Sequence, residues 1–176
     1  MTEEIKRREL LAAGSLTLGA YLLGGKLVWA TAREATARGF TPQALSEAQL
    51  SALESLCEAL VPGATEAGIG AYVDAQLAAS NDSKLMAKYV GVPPEQQGGF
   101  YGAALDAVAA GLADHDASAL AGLMAGDAVP DWQGPPASYV IFLLRSDALD
   151  VTYGTQQGFA ELGIPYMAHI APESSW

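Results

Sequence analysis

The chain has 176 residues, enough for one domain with a sizeable core, and its 51% hydrophobic and 16% charged composition excludes wholesale disorder. The formal charge of −11 is uneven: residues 1–32 carry four bases and three acids, whereas the rest carries five bases and seventeen acids. So acidic a body repels polyanions, which excludes nucleic-acid binding, and the single cysteine, Cys57, excludes an internal disulfide, a Cys-pair zinc site and CxxC chemistry.

The N-terminus reads as an address. Lys6-Arg7-Arg8-Glu9-Leu10-Leu11 precedes a Gly/Ala-rich apolar stretch running to Gly25, the pattern of a twin-arginine export signal read at Arg7 and Arg8. Residues 10–25 are apolar all round, unlike an amphipathic helix. Ala30-Thr31-Ala32 offers a small-x-small cleavage site. Uncut, Leu10–Ala32 as a helix would reach about 35 Å, enough to anchor the chain in a membrane. Cleavage and retention both stay open. Residues 1–32 are therefore read as signal or anchor, 33–45 as a linker, and 46–176 as a helical domain.

In the body, Ser46-Glu47-Ala48-Gln49 forms a capping box. Leu50, Leu53, Leu56, Cys57, Leu60 and Val61 follow at three- and four-residue steps until Pro62-Gly63 stops the helix. Cys57 falls on its apolar face, as a buried thiol or a cysteine that pairs with another chain. A second helix spans about residues 69–79, with Ile69, Tyr72, Val73 and Leu77 inward. The stretch around Leu85, Met86 and Tyr89 carries only a weak pattern. Pro94 opens a helix carrying Phe100, Leu105, Val108 and Leu112, and a short helix spans 117–125 with Leu120, Leu123 and Met124. Gly126 to Pro136 is a breaker-rich loop. The run Tyr139–Leu144 suits a buried strand or a helix; no other segment offers it a strand partner, so 137–151 is read as helix. The Gly- and Pro-rich tail from Gly163 to Trp176 is extended. The fold class is all-α: a compact bundle of short helices between an N-terminal export or anchor helix and that tail.

Chemistry-bearing constellations are missing from the sequence. His115, in Asp114-His115-Asp116, reads as a solvated turn, and His169 lies in the tail; no HExxH, P-loop, GxSxG or strand-borne GxGxxG occurs. CxxCH heme attachment and iron–sulfur ligation need more cysteines. No catalytic, cofactor-binding or metal residue is assigned, and an unrecognised Asp/His enzyme is the residual alternative. Arg145 interrupts the apolar helix, either as a local ion pair with Asp147 or Asp150 or as a contact across a subunit boundary. In the tail, Tyr166, Met167, His169, Ile170 and Trp176 offer a surface that needs a neighbour, this domain or another chain.

The twin-arginine start, the run Leu53–Gly63, Gly70–Leu77, Arg145–Gly154 and Gly163-Ile164-Pro165-Tyr166 together resemble the gluconate 2-dehydrogenase subunit 3 family. These stretches cover most of the chain except residues 80–135. The resemblance implies a non-catalytic small subunit of an exported sugar or alcohol dehydrogenase complex. FAD would sit in a glucose–methanol–choline (GMC)-type large subunit that travels on this chain's signal, and heme c in a cytochrome c subunit. It implies a periplasmic location, with inner-membrane association through residues 10–32. The alternative is a free-standing, membrane-anchored helical assembly factor or chaperone-like binding protein.

Overall fold

The computed structural model describes residues 18–79 and 83–164. It opens on a hairpin. Gly24 and Gly25 take φ of +54° and +78°, the two left-handed positions that a tight two-residue hairpin turn requires. β1 (Leu18–Leu23) thereby folds back antiparallel on β2 (Lys26–Thr31), pairing Leu23 with Lys26 and Leu18 with Thr31. The expected export or anchor helix is thus corrected over its described part, residues 18–31. Such a helix would be apolar on every side, whereas the hairpin turns Tyr21, Leu23 and Ala30 into the core and leaves the other face outside. The all-α expectation becomes a mostly helical fold with one two-stranded sheet. Among the described residues no helix is long and apolar enough to cross a membrane.

The expected linker is also part of the body. Helix α1 (Ala32–Ala37) starts at Thr31, which forms a reciprocal capping box with Glu34. Ala32 and Ala35 are fully buried. Ala32 lies so close to Gly68 (φ +97°) that a Cβ there would stand 2.4 Å from its carbonyl carbon, so only glycine fits. Farther on, the backbone N–H groups of Gln43, Ala44 and Leu45 donate to the buried Asp74 carboxylate at 2.8–3.1 Å, fixing the approach to the next helix. The Thr31 cap was within reach of sequence reading; the Asp74 clamp depends on a residue about thirty positions away.

Helix α2 (Glu47–Leu60) begins at the Ser46–Gln49 capping box as expected and forms the hub of the core, packing against α4 to α7 as they are defined below. Its C-terminus turns at Pro62-Gly63 into the short α3 (Ala64–Ala67), where the Glu58 carboxylate accepts the Gly63 and Thr65 N–H groups. α4 (Ile69–Ala79) is buried along most of its length. A 3-10 turn (Met86–Val90) precedes α5 (Pro94–Asp114), which carries Pro94 in its first turn. Tyr101, Ala104, Leu105 and Val108 face inward on α5, and Phe100 and Leu112 pack half-buried against the core. α6 (Ala117–Ala125) starts at the Asp116 cap.

The 126–136 loop ends at α7 (Ala137–Tyr153), where the Ser138 N–H donates to Asp127 at 2.7 Å. Tyr139–Leu144 is therefore helix, as expected, although the expectation that no other segment forms a strand fails at residues 18–31. α8 (Gln156–Glu161) closes the described chain from its Thr155 cap.

Candidate partner-docking site

The inner face of α7 is locked to two other elements. Asp147, only 1% exposed, accepts the Tyr101 hydroxyl at 2.6 Å and the Met86 N–H at 2.8 Å. One carboxylate thereby ties α7 to α5 and to the 3-10 turn. Burial pushes its pKa up to about 7, the two hydrogen bonds pulling the other way and Asp150 adding to the rise. The same burial raises the Tyr101 hydroxyl. Cys57 is fully buried beside this lock, its thiol directed at the Leu144 carbonyl at 3.7 Å. Burial raises it far above an ordinary thiol, helped by Asp147, Glu54 and Glu58, so it is a core residue and not a nucleophile.

The outer face of the same helix is different. Phe142, Arg145 and Leu149, spaced by three and four residues, are all exposed and share one side of α7. Arg145 makes no ion pair or hydrogen bond among the described residues. Of the acids expected to pair with it, Asp147 is turned into the core and Asp150 forms no ion pair with it. The one ion pair among the described residues joins Arg33 to Glu66. Just beyond α8, Leu162 and Ile164 add exposed apolar area. The other site residues expected from the sequence, Arg7, Arg8, Tyr166, Met167, His169, Ile170 and Trp176, lie outside the described residues.

His115 borders a cleft of about 600 Å³ between α5 and the 126–136 loop, rimmed by Asp106, Asp114, Asp131 and Trp132. The Trp132 indole N–H donates to the Pro135 carbonyl at 2.6 Å and braces the loop, while Asp106 accepts from Gln49 at 2.9 Å. His115 makes no side-chain hydrogen bond to a carboxylate among the described residues, so no His–Asp dyad is assembled there. Among the described residues no three His, Cys, Asp or Glu side chains converge as a metal would need. The sequence reading placed His115 in a turn but missed the cleft, because Trp132 and Asp131 reach it from a loop without periodicity.

Comparison of the chain with protein-family models, curated proteins and solved structures returns no match.

Proposed function

We propose that this chain is the non-catalytic small subunit of an exported FAD-dependent dehydrogenase complex, docking a GMC-type large subunit through the outer face of α7. One observation carries the reading: Arg145 stands exposed, without a partner among the described residues, between Phe142 and Leu149 on a helix whose other side is locked into the core. Among the described residues the other exposed bases also lack an ion pair, so the weight lies on where Arg145 stands, between two exposed apolar side chains on one helix face. An arginine flanked by an aromatic and a leucine is the composition of an interface anchor. The stretch Arg145–Gly154 is also one of those that resemble the dehydrogenase small subunits. FAD then belongs to the large subunit, heme c to a cytochrome partner, and substrate choice to neither residue set described here.

The test is co-expression of the full chain with a GMC-type oxidoreductase large subunit. The expected result is a yellow one-to-one complex, with Arg145→Glu weakening association by about 10- to 100-fold. Turnover by the chain alone, or no association with the flavoprotein, would sink the reading. A transient contact that never co-purifies would favour the assembly-factor alternative.

A further inference from the structure

The cleft beside His115 is built on one face of α5. Ala103, Ala107, Ala110 and Gly111 line it at three- and four-residue steps. Its floor is thus helix surface with small side chains, whose backbone groups are already bonded within the helix. The 126–136 loop forms the opposite wall. Gly134 lets that loop close on α5, because a Cβ there would stand 2.9 Å from the Ala107 Cβ and 3.2 Å from the Trp132 ring, and the Trp132–Pro135 hydrogen bond fixes the indole. The charged side chains on this apolar groove are of one sign. Asp106 and Asp114 are eight residues apart on α5, about 12 Å along its axis, and Asp131 joins them from the loop. No Lys or Arg is among the described residues that line the cleft. The side chains of Asp114 and Asp131 have no hydrogen-bond or ion-pair partner among the described residues, and Asp106 uses one carboxylate oxygen on Gln49.

We propose that this groove binds a linear aliphatic polyamine, with its methylenes along the alanine floor and the Trp132 wall and its ammonium groups on Asp106, Asp114 and Asp131. The volume of about 600 Å³ lies in the range of small-molecule sites. Charge complementarity selects a cation. The spread of carboxylates over about two helical turns selects several cationic centres on one chain rather than a single one. A peptide would bring backbone N–H and C=O groups, for which a helix floor has no partners; a polyamine brings only ammonium donors and methylenes. Each ammonium–carboxylate contact is a charge-assisted hydrogen bond, Trp132 adds an aromatic surface that attracts cations, and the net charge of −11 concentrates them near the protein. A single metal ion is a poorer occupant, because among the described residues no three His, Cys, Asp or Glu side chains converge on one point. The inference does not rest on the accessory role, since the groove belongs to α5 and the 126–136 loop and the proposed docking face to α7.

The experiment titrates the full-length chain with spermidine at about 0.15 M salt. Calorimetry should give one site. In a Trp29→Phe/Trp176→Phe background, which leaves Trp132 as the only one of three tryptophans, its emission should change saturably over the same range. Asp114→Asn/Asp131→Asn should weaken binding by about tenfold or more. Its melting should be unchanged, because both side chains are exposed and asparagine tolerates the left-handed backbone at Asp131 (φ +52°). Glu95→Gln/Glu161→Gln removes the same two charges from residues that do not line the cleft and should bind as the wild type does. Equal loss in the two double variants would reduce the binding to general attraction by an acidic protein and overturn the proposal. So would unchanged binding by Asp114→Asn/Asp131→Asn, or no saturable binding by the wild type. A lysine-rich peptide that binds more tightly than spermidine and is weakened by the same substitutions would also overturn it, making the groove a protein-docking surface.

Discussion

Asp147 is a carboxyl whose acidity makes folding depend on pH. Its ordinary value is near 3.8 and burial raises it to about 7. The folded chain thus holds this proton more tightly than the unfolded one. The stabilisation is complete below about pH 4 and is lost as pH rises through about 7. Between pH 5 and pH 8 the loss is about 2–3 kcal/mol, or a fall in melting midpoint of about 5–10 °C for a domain of this size. The carboxyls of Glu58, held by the Gly63 and Thr65 N–H groups, and of Asp127, held by the Ser138 side chain and N–H, lie below their ordinary values and act in the opposite sense, whereas burial raises Glu54 and Asp150 in the same sense as Asp147. Asp147→Asn keeps one acceptor oxygen for the Met86 N–H and turns its NH2 toward the Tyr101 oxygen, without the charge, so most of the slope of its midpoint between pH 5 and pH 8 should disappear. A wild-type midpoint that stays level or rises over this range would show that the carboxyl is not the group that matters. The sequence announced the helix that bears Asp147 but not this role: its partners, Met86 and Tyr101, lie 61 and 46 positions away. Cys57 was legible because its burial follows from helical phase alone.

The helices that began at a local signal were readable, and the hairpin was not. Ser46–Gln49, Pro62-Gly63 and Pro94 each mark an element within four residues. Gly24-Gly25 between apolar runs is an equally local hairpin signal, yet the arginine pair upstream made the same residues read as one export helix. Apolar residues on both sides of the ribbon hid the alternation that marks a strand. The consequence is energetic: Tyr21, Leu23 and Ala30 are part of the core, and burying the first two contributes about 1.5–3 kcal/mol each. A chain beginning at Arg33 should therefore lose about 3–6 kcal/mol, enough to unfold a marginal domain, whereas one beginning at Leu18 should melt close to the full chain. Equal melting of the two truncations would show that the hairpin only rests on the body.

At the scale of the whole molecule, the proposed export signal and the fold would compete for the same residues. A twin-arginine route carries folded proteins, and the described fold already includes residues 18–32. The candidate cleavage site is then poorly placed: Ala30 and Ala32 are buried, and Thr31 between them caps α1. A peptidase needs an extended, accessible segment, so cutting there requires the hairpin to unzip from β1 and α1 to leave its contact with Gly68. Leu10–Thr17 gives eight residues after Glu9, near the lower end of the 7–15 apolar residues that a signal needs. On the proposed route, Arg7 and Arg8 should thus be read while the hairpin stays folded, and the exported chain should keep its N-terminus. Intact mass of the protein recovered from the periplasmic or membrane fraction should match the uncut sequence. Arg7→Lys/Arg8→Lys, which keeps the charge but not the guanidinium, should hold both this chain and its flavoprotein partner in the cytoplasm. A mature chain starting at Arg33 would mean that cleavage precedes or dismantles the hairpin, and export of the lysine variant would mean that the arginine pair is not the address.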